Sequence, residues 1–229
     1  RKPAVYVFGG VLLLWSVMNL WHIGAYSGWE AYYGNAIKTN PGSGLANLNY
    51  GSMLRDAGKW EEALPYTEKG VQLSPDYVDA KVRLAEVYFQ LKRYPESIKI
   101  ATEALNKEPN NTQAMQFRGS AYGASGQPAM AEQDFKKILE IDPKNDHAMF
   151  NLGIAYKDAN RLPEANATLT KLIEKNPDFP NAYFERGFCY GRMNDFLKAK
   201  EDMELSIAKQ PEHAPSYFFR GRCYDAMGN

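Results

Sequence analysis

Three histidines, two cysteines and a few adjacent acid pairs are the side chains with chemistry to offer in this sequence. His22, His147 and His213 each stand alone, with no second ligand three or four residues away to share a helical face and a metal ion. Cys189 and Cys223 are too few for a disulfide framework or a zinc site. Glu61–Glu62 and Glu201–Asp202 could divide general acid and base work, but carboxylates in such runs belong to solvated helix faces. No glycine-rich phosphate loop, nucleophile elbow or paired-histidine motif occurs. The expectation is no catalytic residue, no cofactor, no metal and no enzymatic activity within this chain. Asn110 in "NNT" and Asn166 in "NAT" match the glycosylation sequon, which matters only in an oxidising eukaryotic lumen. Lys plus Arg equals Asp plus Glu at 27 each, so nothing advertises a nucleic acid or a strongly charged partner.

The elements that must position any functional side chain are declared by a strict period. Pro41, Pro75, Pro109, Pro143, Pro177 and Pro211 are spaced by 34 residues. Gly51, Ala85, Gly119, Gly153, Gly187 and Gly221 keep the same interval, as do Tyr88, Tyr122, Tyr156, Tyr190 and Tyr224, a column that Leu54 opens. Ala63, Ser97, Ala131, Ala165 and Ala199 make a fourth column. The first small residue lets two helices approach closely, and the tyrosine one helical step later fills the space so created. Gly58, Gly126, Asn160, Asn194 and Gly228 fall where a left-handed residue ends a first helix. The second small column marks the crossing in the second helix, and the proline stops that helix and starts the next unit. Segments such as "DAKVRLAEVYFQLKR" carry apolar residues at helical spacing without strand-like alternation.

These columns resemble the tetratricopeptide repeat, a helix-turn-helix unit of 34 residues. The resemblance runs from about Gly44 to Pro211 as five repeats, with a sixth begun at Ala214. It implies an all-α, right-handed superhelical solenoid of antiparallel helix pairs over residues 42–229, and the uncharged residues 3–21 add a single preceding transmembrane helix to the expected fold. Arg118, Arg186 and Arg220 depart from the family by replacing the large apolar residue before the small one. Pro128 replaces the aromatic or leucine supplied elsewhere by Trp60, Tyr94, Leu162 and Phe196, so a looser turn is expected there. Cys189 and Cys223 occupy equivalent positions one helix pair apart, too far for a disulfide, and read as small core residues.

Residues 3–21 contain no charge and as a helix would span roughly 28 Å, enough to cross a hydrocarbon core of about 30 Å. Trp15, Trp21, Tyr26, Trp29, Tyr32 and Tyr33 thicken toward one end like an interfacial belt. Residues 1–25 are thus expected to be a transmembrane helix and its flank. A signal peptide cleaved after Ala25 and a buried core helix are the alternatives; 19 residues with two tryptophans make a poor signal core. Arg1 and Lys2 vote for a cytoplasmic N-terminal flank, which puts the array on the periplasmic or lumenal side. Because the numbering opens on Arg1, the chain is expected to be processed, trimmed or part of a longer product. Residues 26–41 match the second helix of a repeat without its first, through Tyr33, Ala36 and Pro41, and are expected to cap the array.

The resemblance implies a concave groove lined by first helices. Its facing positions are Asn49, Ser52, Arg83, Glu86, Gln116, Phe117, Phe150, Asn151, Phe184, Glu185, Phe188, Phe218 and Arg222. An aromatic and polar mixture suits an extended peptide or a partner helix, with about half of the phenylalanines packing between repeats. The clamp by which some family members read chaperone C-terminal carboxylates would fall on Leu48, Ser52, Arg83, Gln113 and Phe117, and is not present. An asparagine ladder of the kind seen in nucleocytoplasmic glycosyltransferase arrays is met only at Asn49 and Asn151. The expected function is a membrane-anchored scaffold for protein–protein interaction, a possible subunit of a membrane-protein complex. The junction "YSGWEAYYGNAIKTNPGS" followed by "NLNYGSML" is similar to that of lipid-linked mannosyltransferases, which implies as an alternative the non-catalytic arm of a multi-span membrane glycosyltransferase. A receptor or assembly factor with a cytosolic array is the third reading.

Overall fold

The computed structural model describes residues 28, 29, 31–179 and 181–228, and every regular element among them is an α-helix. The membrane helix expected over residues 3–21 lies outside these residues. Among the described residues no helix is long and apolar enough to cross a membrane. The chain forms two compact units, 1–91 and 92–229.

The first unit contains α1 (28, 29 and 31–39), α2 (Gly44–Asp56), α3 (Trp60–Leu73) and α4 (Val78–Gln90). Ser43 starts α2, its hydroxyl accepting from the Ala46 amide at 3.2 Å, which satisfies one of the donors a helix start leaves open. Gly58, at φ 73°, ends it and turns the chain into α3. The two helices then cross so closely that a Cβ on Gly51 would lie 2.6 Å from the Thr67 hydroxyl. Met53, Leu54 and Ala63 form the core of this pair, with Tyr33 of α1, Tyr50 and Tyr66 packed on it.

The second unit contains α5 (Tyr94–Lys107), α6 (Thr112–Ala124), α7 (Pro128–Ile141), α8 (Asp146–Asp158), α9 (Leu162–Lys175), α10 (Ala182–Arg192), α11 (Phe196–Lys209) and α12 (Ala214–Met227). Asn111 and Asn145 cap α6 and α8 as Ser43 caps α2. Gly126, Asn160, Asn194 and Gly228 all take the left-handed conformation expected of them. Lys92 does the same at φ 58°, in register and without the small side chain that eases it. The turn before Pro128 is no looser than its equivalents. Gln127 N–H donates to Tyr122 O at 2.8 Å, as Arg161 does to Tyr156 and Asp195 to Tyr190. Proline at the first helical position loses no hydrogen bond, because that amide has no partner in any helix.

Two of the three arginines that depart from the repeat pattern, Arg118 and Arg186, have matching acids. Arg118 donates to both oxygens of Asp134, at 2.9 and 2.6 Å, and to the Thr102 hydroxyl. Two repeats later Arg186 does the same to Asp202 and Thr170. The intervening repeat carries Leu152 and Thr168 at these positions. Both aspartates are buried. Burial pushes the Asp202 carboxyl above the ordinary carboxylate range, outweighing the downward pull of its hydrogen bonds to Arg186.

The tyrosine column makes contacts between repeats as well as within one. Tyr88 hydroxyl donates to Glu68 at 2.7 Å, and Tyr156 lies under Arg161, 4.5 Å from its centroid, with Lys136 of α7 also over the ring. The capping pattern lapses at Tyr77, Phe179 and His213. Where Ser43, Asn111 and Asn145 stand in other units, Phe179 turns inward and joins a core cluster with Leu172, Ile173 and Ala182. Burying a phenylalanine contributes about 2 kcal/mol, more than the roughly 1 kcal/mol of a lost cap, so the apolar residue wins. The first helix that follows is shortened to 11 residues. Cys189 and Cys223 are unpaired and buried. Burial pushes the Cys189 thiol up to about 11, which leaves it protonated and unreactive at neutral pH. Asn166 is buried in α9, whereas Asn110 is exposed in the α5–α6 turn, so only the latter sequon is accessible in the folded state.

Candidate partner-binding face

The thirteen positions expected to line a groove divide by what their neighbours leave them free to do. In the first unit Arg83 donates to Ser52 at 2.6 Å and to Asp79 at 2.7 Å, while Glu86 accepts from Arg55 at 3.1 Å. The Arg83–Ser52 and Arg55–Glu86 bonds tie α4 to α2. Three of the four groove positions in this unit therefore brace the array, and Asn49, half-buried on α2, is the fourth.

The second unit sorts its aromatics in the same way. Phe150 packs on the cluster around Phe179, with ring centroids 5.2 Å apart, and is structural. Gln116 bonds to Ser120 on its own helix at 3.3 Å, and Phe117 and Asn151 are half-buried. Glu185 accepts from Lys157 at 2.7 Å, which joins α8 to α10. Lys157 also lies over the Phe188 ring.

Phe184, Phe188 and Phe218 are brought together by a residue that sequence reasoning missed. Phe219 stands 5.7 Å from Phe184, 5.1 Å from Phe188 and 5.4 Å from Phe218, with edge-to-face geometry at each contact. Such contacts favour a fixed mutual arrangement over interchangeable packing. His213 closes the far side, edge-on to Phe184 at 4.8 Å. The signal that could have found Phe219 was its register, one period after Glu185 and five after Asn49. Phe218 is 63% exposed, Phe184 and Phe188 are half-buried, and Arg222 is exposed. Beside this platform a cavity of about 480 Å³ opens between α10, α11 and α12. Gly187, Phe188, Met203, Phe219 and Cys223 give it apolar walls, and Arg192 and Arg222 add two guanidinium groups.

This arrangement can hold an apolar side chain and orient a carboxylate. Among the described residues no group of three His, Cys, Asp or Glu is placed to hold a metal ion.

A tetratricopeptide repeat family model matches residues 54–118 and 124–184, more than half of the chain, and a second one matches residues 168–201. The chain is 30% identical over 84 residues to Hsp70-Hsp90 organizing protein 1 of Glycine max, a match that covers 37% of this chain and 15% of that protein. Among solved structures it is similar to a tetratricopeptide repeat protein from Parabacteroides merdae, with a TM-score of 0.77 and 23% identity, covering 94% of this chain and 86% of the other. It is also similar to YrrB, described as a TPR protein with an unusual peptide-binding site, with a TM-score of 0.66 and 22% identity over 82% of this chain and 97% of that one. At these identities the structures speak for the fold alone. The period of 34, the crossing glycines, the left-handed turns and the family match agree: the chain belongs to the tetratricopeptide repeat family.

Proposed function

We propose that this chain is a membrane-tethered scaffold that binds a segment of a partner protein on the face carried by its first helices. The observation that carries this reading is the Phe184–Phe188–Phe218–Phe219 platform with its neighbouring cavity. It is a surface of half-exposed, mutually oriented rings on α10 and α12, bordered by Arg192 and Arg222. The partner segment has an apolar anchor followed by an acidic group, in extended or helical form. The peptide-binding site ascribed to YrrB supports a peptide ligand for this fold. The chaperones named in the Glycine max relative are not transferred. Leu48 is buried where the carboxylate clamp would need a polar residue, and Arg83 is held by Ser52 and Asp79. Residues 3–21 supply the tether, and the Arg1–Lys2 flank orients the array to the periplasmic or lumenal side, where it serves as a subunit of a membrane-protein complex.

The test is photo-crosslinking in the native membrane from a benzophenone amino acid at Phe188 or Phe218, with Lys137 on α7 as the control position. A discrete adduct from the platform and none from the control is expected. Equal labelling from both, or no adduct from either platform position, overturns the reading.

A second reading makes the chain the C-terminal arm of a multi-span membrane glycosyltransferase using a lipid-linked sugar. The aromatic junction from Tyr26 to Ser43 is the observation that favours it. Several further apolar spans encoded upstream of Arg1 would establish that arrangement, and an initiator methionine within a few codons would eliminate it.

A further inference from the structure

The first two turns of α1 carry an aromatic cluster that the repeat core covers on one side only. Tyr33 packs on the Met53, Leu54 and Ala63 cluster of the first helix pair. Trp29 stacks on Tyr33 with centroids 5.7 Å apart and planes at 21°. Tyr32 stands edge-on to both, at 5.9 Å from Trp29 and 5.2 Å from Tyr33. Tyr33 is half-buried, yet Trp29 is 54% and Tyr32 63% exposed. Farther along the helix the exposed side chains are Asn35, Lys38 and Thr39. The exposed surface of α1 therefore changes from aromatic to polar along its length.

The surrounding sequence says what kind of environment the aromatic end meets. Between Lys2 and Lys38 the only formal charge is Glu30, which lies outside the described residues. The uncharged run 3–21 ends eight residues before Trp29, so chain geometry holds Trp29 within roughly 28 Å of its end. Trp and Tyr are selected at the bilayer boundary because their ring bodies are apolar while the indole N–H and phenol O–H keep hydrogen bonds at headgroup level. A docked protein would need a recess for these rings; a lipid headgroup layer needs only their exposure next to an anchor.

We propose that the Trp29–Tyr32 face of α1 lies in the headgroup layer of the phospholipid bilayer. This inference rests on the membrane-tethered reading of residues 3–21. In this arrangement α1 is a joint with two attachments, Tyr33 to the first repeat and Trp29 with Tyr32 to lipid. The array is then held at a fixed angle to the membrane in place of swinging on a linker.

The test uses the full chain in phosphatidylcholine vesicles, with Trp15→Phe, Trp21→Phe and Trp60→Phe leaving Trp29 as the single indole. Trp29 emission is expected to be quenched by lipids brominated near the head of the acyl chain. Quenching by lipids brominated near the chain end should be weaker, and by aqueous iodide slight. If Trp60→Phe unfolds the array, the same profile is read from the difference between the unmodified chain and Trp29→Phe. Strong iodide quenching without bromolipid quenching, in a chain that floats with the vesicles, overturns the inference and leaves the tether intact. A chain that does not float overturns both.

Discussion

The Arg186–Asp202 pair shows how a buried charge is tolerated in a repeat core and how it can be exchanged. Removing the guanidinium by Arg186→Leu strands a carboxylate whose side chain is 4% exposed, and should cost about 3 kcal/mol in chemical denaturation. The same chain already contains the apolar solution, Leu152 with Thr168, one repeat earlier. Adding Asp202→Thr to Arg186→Leu should therefore recover most of the loss. The pH dependence follows from the raised pKa of Asp202 in the folded state. A carboxyl raised on folding contributes stability that is present below its unfolded value and lost as pH rises through the folded value. The defect of Arg186→Leu alone should accordingly shrink on acidification through that window, and denaturant titrations at several pH values would measure it. Lys92 offers a change of the opposite sign. It holds a left-handed conformation that glycine adopts freely at the equivalent Gly58 and Gly126. Lys92→Gly should stabilise the protein by about 1 kcal/mol, read as a rise in melting temperature.

At the scale of the element, helix crossings decide which substitutions the array accepts. A Cβ on Gly187 would lie 2.8 Å from the Asp202 Cβ and 3.1 Å from the Ala199 carbonyl, whereas one on Gly191 meets the Ala199 Cβ at an ordinary 3.8 Å. Gly187→Ala should cost about 2 kcal/mol by forcing α10 and α11 apart. Gly191→Ala should be neutral or stabilise by up to about 1 kcal/mol, because only helix propensity changes. Thermal melts of the two variants test the contrast between two glycines one turn apart on α10. For α1, Tyr33 joins the helix to the core of the first pair. Deleting residues 27–40 should lower the melting temperature of the remaining array, and an unchanged melt would show that α1 does not cap it.

Across the whole molecule, stability in a repeat fold is built from neighbouring units, so a local defect spreads little. Gly187→Ala should raise amide exchange in α9 to α12 and leave α2 and α3 close to wild type, a pattern that hydrogen exchange resolved by peptide can check. The helices, their crossings and the left-handed turns were legible in the sequence because each depends on contacts within a few residues, repeated every 34. The left-handed turn at Lys92 was missed, although it falls in register, because a lysine does not look like a residue that ends a helix that way. The binding face was legible only as a set of positions. Ser52, Arg83, Glu86 and Glu185 carry the polar chemistry a ligand could use, yet they bond across helices to residues 28 to 31 positions away. Phe150 and Phe184 likewise belong to the same kind of column, and one packs on Phe179 while the other joins the Phe219 platform. The sequence by itself determined the repeat and its frame, because a periodic helical pattern can bury its apolar faces only by stacking. Tertiary structure decided which side chains on that frame are spent on bracing and which are left for a partner, because that depends on what the neighbouring helix places opposite each one.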